Sequence, residues 1–175
     1  MVRKKKENIL NIPNALSLLR ILLVPFLVIQ LLGENILGSL LILAVIMLSD
    51  FFDGLIARKF NQTTGFGDVL DMLGDFSYYL ATLISFYILG WLNILNKLLL
   101  LAVILAMFHF LYSLYKKNKW HTVPHFKSAK IMAVMYVVSF VIMILQVPYA
   151  QWLLTITFFV TFFYTFREYL QYFKQ

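Results

Sequence analysis

Residues 50–75 read DFFDGLIARKFNQTTGFGDVLDMLGD, and five of the chain's eight acidic residues lie in this stretch: Asp50, Asp53, Asp68, Asp71 and Asp75. Apolar sequence flanks it on both sides. A carboxylate placed within a membrane span costs about 3 kcal/mol or more, and residues that carry such a cost usually line a site or a pathway. The acids are therefore the place to look for chemistry.

The rest of the chain says what surrounds them. Of 175 residues, 62% are hydrophobic and 13% charged, with 17 phenylalanines. Ordinary soluble domains carry about 45–50% and about 25%. A soluble domain of this size cannot hide so much apolar surface, and a disordered chain would not contain it. The expected class is an all-α integral membrane protein. With no cysteine, disulfides, thiolate metal sites and cysteine nucleophiles are excluded. The net charge of +7 reads as topology and contact with anionic lipid, with no nucleic-acid partner.

A helix needs about 20 mostly apolar residues to cross the hydrocarbon. Six stretches qualify, at 14–32, 36–58, 68–90, 92–115, 128–146 and 149–173. The expected organisation is a juxtamembrane segment, 1–13, followed by a single six-helix membrane domain, 14–175. In the first segment Ile9, Leu10 and Ile12 follow Arg3, Lys4, Lys5 and Lys6, a pattern that suits a short amphipathic piece lying at the interface. A disordered basic leader is the competing reading. The first apolar run is long, lacks an A-x-A cleavage site and is followed by further spans, so it reads as a retained span.

Cations fix the expected orientation. Arg3, Lys4, Lys5 and Lys6 precede span one, Arg58 and Lys59 close span two, and Lys116, Lys117, Lys119, Lys127 and Lys130 surround the loop after span four. Lys174 lies at the C-terminus. The opposite loops, 33–35, 90–96 and 147–151, hold no Lys or Arg, and only Lys97 borders one. The positive-inside rule then puts both termini and the acidic stretch on the cytosolic side of a cell membrane.

At 1.5 Å per residue, Asp53 lies about 7–8 Å above Arg58 and Asp50 about 12 Å, while Asp71 and Asp75 lie about 6 and 12 Å above Gly67. The i,i+3 and i,i+4 spacings put each pair on one helix face. Four carboxylates would converge between two antiparallel helices. Such a group must be protonated or meet cations. Oxygen donors suit Mg²⁺, Mn²⁺ or Ca²⁺, and two metals held by four carboxylates suit phosphoryl chemistry. Ion pairs to Arg20, Arg58 or Lys59 are the competing reading, although the acids outnumber those cations. Gly54 and Ala57, one and four residues after Asp53, permit close approach of a ligand or of another helix. Gly65 and Gly67 permit a tight turn. Arg58 suits a phosphate or a topological anchor.

Together Asp50, Asp53, Gly54, Ala57, Arg58, Gly67, Asp71 and Asp75 spell D-x2-D-G-x2-A-R-x8-G-x3-D-x3-D without a gap. This resembles the signature of the CDP-alcohol phosphatidyltransferase family. The resemblance implies transfer of a phosphatidyl group from CDP-diacylglycerol or a related CDP-lipid to a small alcohol, with release of CMP. It implies two divalent ions, Mg²⁺ or Mn²⁺, on Asp50, Asp53, Asp71 and Asp75, with Asp75 also the base for the acceptor hydroxyl. It implies CDP-lipid contacts at Asp50, Asp53, Gly54, Ala57, Arg58 and Gly67. Asp68 is outside the motif and reads as the N-cap of span three, with a supporting role at the metals as the alternative.

The start of the chain, Asn11-Ile12-Pro13-Asn14 with Ser17 and Arg20, resembles the phosphatidylglycerophosphate and cardiolipin synthase branch, which makes glycerol 3-phosphate the expected acceptor. That branch often has proline after the third motif aspartate and lysine after the fourth, where this chain has Met72 and Phe76. Inositol phosphate, serine and a phosphatidylglycerol headgroup are the alternative acceptors. Arg20, Lys127, Lys130 and Arg167 are candidates for an acceptor phosphate. For Arg20 the other reading is a motif aspartate as partner, for the lysines lipid contact, and for Arg167 pairing with Glu168. His109, His121 and His125 lack metal-ligand spacing, and the Phe, Leu, Tyr and Trp runs read as lipid-facing belts. Membrane lipids are expected partners, and the apolar surfaces permit a homodimer. From another class, a cation carrier would also place acids in a membrane. It explains neither Gly54, Ala57 and Arg58 nor the confinement of the acids to one side. An inactive binding relative is a third reading, against which the complete motif stands.

Overall fold

The structure, a computed structural model, describes residues 11–60, 62, 64–117 and 129–174. Six helices follow in order: α1 (Ile12–Leu32), α2 (Ile36–Lys59), α3 (Gly65–Ile88), α4 (Ile94–Lys117), α5 (Ala129–Ile144) and α6 (Ala150–Lys174). There is no strand among the described residues. The helices fall where the six apolar stretches predict them, with ends displaced by a few residues. The chain forms two compact units, Met1–Ser85 and Phe86–Gln175.

Local chemistry sets those ends. The Asn11 side chain accepts from the Asn14 N–H at 2.8 Å, and Pro13 sits in the first turn, where a missing N–H costs nothing. α1 therefore starts at Ile12, so residues 11–13 of the expected interfacial segment are the cap and first turn of α1. Residues 1–10 lie outside the described residues. Asn35 caps α2 in the same way, accepting from the Gly38 N–H at 3.0 Å. The start of α3 corrects the sequence reading. Asp68 is not its cap, because the Thr64 hydroxyl accepts from the Gly67 N–H at 2.9 Å and the helix opens at Gly65, three residues before Asp68.

In the first unit α1 packs along α2 through Leu27, Leu31, Leu43 and Ile46, all essentially inaccessible. The polarity of α1 is inverted relative to a soluble helix. Asn14, Ser17 and Arg20 are buried, while Leu18, Leu22, Phe26 and Ile29 are exposed. α1 and α2 are each long and apolar enough to cross a membrane. α3 misses that standard because Asp68, Asp71 and Asp75 crowd its first half.

The second unit is built on α6. Phe140, Ile144, Leu154 and Phe158 form its apolar core. Threonines of α6 supply a polar seam. Thr155 Oγ1 donates to Asn96 Oδ1 at 2.8 Å, and Asn96 Nδ2 donates to the Gln151 carbonyl at 3.1 Å. Thr157 and Ser139 share a hydrogen bond of 2.8 Å, and Thr161 and Tyr136 one of 3.1 Å. Where helices meet without water between them, such bonds act as the adhesive. Asn96→Ala breaks two of them and is expected to destabilise this unit by about 1–2 kcal/mol. Unfolding of the detergent-solubilised protein, followed by loss of helical circular dichroism, measures it.

Candidate active site

The described part of the site comes from α1, α2 and α3 of the first unit. Asp50 and Asp53 project from the last turns of α2, and Asp71 and Asp75 from the first half of α3. All four meet at one side chain, Arg20 of α1. Its Nη2 donates to Asp53 Oδ2 at 2.6 Å and forms an ion pair with Asp50 Oδ1 at 2.9 Å. Its Nη1 donates to Asp71 Oδ1 at 2.9 Å and to Asp75 Oδ1 at 2.8 Å. The fork thus divides the acids by helix, the α2 pair on one nitrogen and the α3 pair on the other. The convergence expected from helical spacing is present. So is the ion pairing, despite the surplus of acids, because one guanidinium contacts all four. Of the two partners considered for Arg20, the structure places the motif aspartates against it.

Ser17 joins the cluster by donating to Asp53 Oδ2 at 3.1 Å. Asp53 is buried, whereas the Asp50, Asp71 and Asp75 side chains are each 41–47% exposed around the fully buried guanidinium. With four carboxylates and one guanidinium, the cluster carries a formal charge of −3.

Two glycines let α1 come this close. A Cβ at Gly67 would lie 2.6 Å from Asn14 Oδ1 and 3.0 Å from Thr64 Oγ1. A Cβ at Gly74 would lie 3.3 Å from both Cδ and Nη1 of Arg20. Gly67, Asp71, Gly74 and Asp75 follow one another at i, i+4, i+7 and i+8 on α3, one face. Asn14, Ser17 and Arg20 of α1 run up that face in the same direction, so α1 and α3 are parallel. Sequence reading missed Gly74. A glycine in a helix interior costs about 1 kcal/mol relative to alanine, and its period with Gly67 was the available signal. Gly67→Ala is expected to cost about 1–3 kcal/mol through overpacking against Asn14 and Thr64, measurable as a lower unfolding temperature.

The other predicted residues divide. Gly54 does leave open space, but Arg58 fills it: a Cβ there would lie 3.3 and 3.4 Å from the two guanidinium Nη atoms. Arg58 folds back one turn over Gly54, and Ala57 lies beside it on the same helix. Arg167 is exposed on α6 in the second unit. The side chains of Asp68, His109 and Lys130, and residues His121, His125 and Lys127, lie outside the described residues.

The donor set fits a divalent ion. Asp50, Asp53 and Asp71 each present an oxygen, all within 4.8 Å of one another. Two oxygens on opposite sides of one ion bound at about 2.1 Å stand about 4.2 Å apart, so small side-chain adjustments close the cluster on a cation. Oxygen-only ligation favours Mg²⁺, Mn²⁺ or Ca²⁺ over softer metals.

The sequence profile of the CDP-alcohol phosphatidyltransferase family matches residues 10–163, nearly the whole chain. The chain belongs to this family. Among curated members, the CDP-diacylglycerol--glycerol-3-phosphate 3-phosphatidyltransferase of Aquifex aeolicus is 43% identical over 77 residues, 44% of this chain and 43% of that protein. The cardiolipin synthase (CMP-forming) of Streptomyces coelicolor is 37% identical over 108 residues, 58% of this chain and 49% of that protein. A second glycerol-3-phosphate 3-phosphatidyltransferase, from Wigglesworthia glossinidia brevipalpis, is 44% identical over 69 residues, 38% of each chain. The matches span less than half the length of each of these relatives.

Proposed function

We propose that the chain is a membrane-embedded transferase that moves a phosphatidyl group from CDP-diacylglycerol, or a related CDP-lipid, to the hydroxyl of glycerol 3-phosphate and releases CMP. The observation that carries this reading is the meeting of all four motif aspartates, drawn from two helices, at Arg20, with oxygens of Asp50, Asp53 and Asp71 spaced for a divalent cation. Family membership supports the reaction class. The names of the Aquifex and Wigglesworthia relatives favour glycerol 3-phosphate, and that of the Streptomyces relative leaves phosphatidylglycerol as the second acceptor.

In this reading Asp50, Asp53, Asp71 and Asp75 hold two divalent ions, Mg²⁺ or Mn²⁺. Bound there, the ions neutralise the diphosphate and the departing CMP. The protein does the rest. Arg58 and the small residues Gly54, Ala57 and Gly67 border the CDP-lipid, and the Asp75 oxygen not engaged by Arg20 takes the proton of the acceptor hydroxyl. The hydroxyl oxygen bonds to the lipid-bearing phosphorus, and the bond from that phosphorus to the CMP oxygen breaks.

Six membrane-spanning helices form one domain, with both termini and the acidic cluster on the cytosolic side. The inverted polarity of α1 and the apolar length of α1 and α2 support membrane insertion. Lipids cover the exposed apolar faces, together with a second copy wherever a homodimer forms. Lys127, Lys130 and Arg167 remain candidate contacts for the acceptor phosphate.

The test is a panel of acceptors. Purified protein receives CDP-diacylglycerol and Mg²⁺ or Mn²⁺, then glycerol 3-phosphate, phosphatidylglycerol, inositol phosphate or serine in separate reactions, and CMP release is followed. Release with glycerol 3-phosphate alone is the expected result. Release with another acceptor instead refutes the acceptor, and release with none from folded protein refutes the reaction.

A further inference from the structure

Arg20 does more than neutralise charge. Its guanidinium contacts one oxygen of each of the four aspartates, Oδ1 of Asp50, Asp71 and Asp75 and Oδ2 of Asp53. Asp53 Oδ2 is held a second time by Ser17. The fork is itself fixed. The side chain is fully buried, and Gly74 leaves only enough room for its Cδ and Nη1. Its Nε is buried with no hydrogen-bond partner among the described residues. Both terminal nitrogens are thus committed to carboxylates while the third donor goes unsatisfied, a compromise that a freely rotating arginine would avoid.

We propose that Arg20 is the positioning residue of the metal centre: it holds one oxygen of each aspartate so that the other oxygen of Asp50, Asp53 and Asp71 is presented, in a fixed orientation, to divalent ions, and that of Asp75 to the acceptor hydroxyl. This rests on the reading of the cluster as a metal centre. Partners that hydrogen-bond a ligating group set its orientation, and their loss typically costs about 10–100-fold in metal affinity. Arginine suits the task because its planar fork engages two pairs of oxygens in one geometry, which the single ammonium of lysine cannot do. The acids still outnumber the guanidinium by three formal charges, so the cluster keeps a strong attraction for dications with Arg20 in place.

The experiment reads metal binding directly and needs no turnover. Full-length protein is purified, stripped with a chelator and titrated with Mn²⁺, with free ion followed by electron paramagnetic resonance. The unfolding temperature of the metal-free form is recorded alongside. Arg20→Gln is expected to bind Mn²⁺ about 10–100-fold more weakly than wild type, and Arg20→Lys to fall between them. Gly74→Ala keeps every charge but pushes on Cδ and Nη1, and is expected to weaken binding several-fold. Should Arg20→Gln fail to fold, the other two variants carry the test. Unchanged Mn²⁺ affinity with a lowered unfolding temperature would make Arg20 a structural ion pair and overturn the proposal. Tighter binding would make it a competitor of the metal and overturn it equally. If wild-type protein takes up no Mn²⁺, the metal-centre reading fails and this inference with it. Binding by wild type with no loss in the folded variants refutes the inference alone.

Discussion

Asp75→Asn is expected to reduce CMP release by about 10²–10⁴-fold, the range associated with loss of a positioned general base. The amide keeps the shape of the side chain and still offers an oxygen to Arg20 Nη1, now 2.8 Å from Asp75 Oδ1. Asp50, Asp53 and Asp71, whose oxygens cluster within 4.8 Å, remain to bind metal. The loss should therefore fall mainly on turnover, with much of the CDP-lipid binding retained. Steady-state CMP release together with equilibrium binding of CDP-diacylglycerol separates the two. Near-wild-type turnover would remove Asp75 from the role of base, and equal loss of binding and turnover would assign it to the metals alone.

Asp53→Asn should behave differently. Asp53 is the buried member of the group, held by Ser17 at 3.1 Å and Arg20 at 2.6 Å. The amide oxygen can still accept from both, so folding should survive. The carboxylate charge that draws a dication is gone. Since loss of an outer partner alone costs about 10–100-fold in metal affinity, loss of a ligand should cost more than about 100-fold. Metal uptake and activity should fall together. A folded Asp53→Asn protein with wild-type Mn²⁺ affinity would take Asp53 out of the metal set.

The helices were legible because the apolar runs are long and the breaks between them sharp: Gly33 and the capping Asn35 after α1, for example. The ends were less legible. Thr64, not Asp68, caps α3, and a hydroxyl at that position competes with several nearby polar residues for the same role. The acidic cluster was legible because helical spacing alone carries Asp50 and Asp53, then Asp71 and Asp75, to one face each. The sequence offered Arg20 as one partner of the aspartates but could not choose it over Arg58 or Lys59. Arg20 lies 30 residues before Asp50, and no local period links them. Its place depends on α1 running parallel to α3 along Gly67 and Gly74, a packing fact. Counting charges also misled, because one guanidinium with two forked nitrogens can contact four carboxylates at once even though it leaves three charges unbalanced. Gly54 illustrates the same point. Its open space was visible in the sequence, but the group that fills it, the Arg58 guanidinium one turn later, emerges only from the side-chain packing.

Metal dependence of the complete reaction tests the central claim most directly. Chelator-stripped protein is given CDP-diacylglycerol and glycerol 3-phosphate, Mg²⁺ or Mn²⁺ is added back in steps, and CMP and the lipid product are quantified together. The account predicts no CMP in the chelator, and, on restoring the ion, CMP and phosphatidylglycerophosphate in equal amounts. Undiminished CMP release in the chelator, or CMP formed with no phosphatidylglycerophosphate beside it, would contradict it.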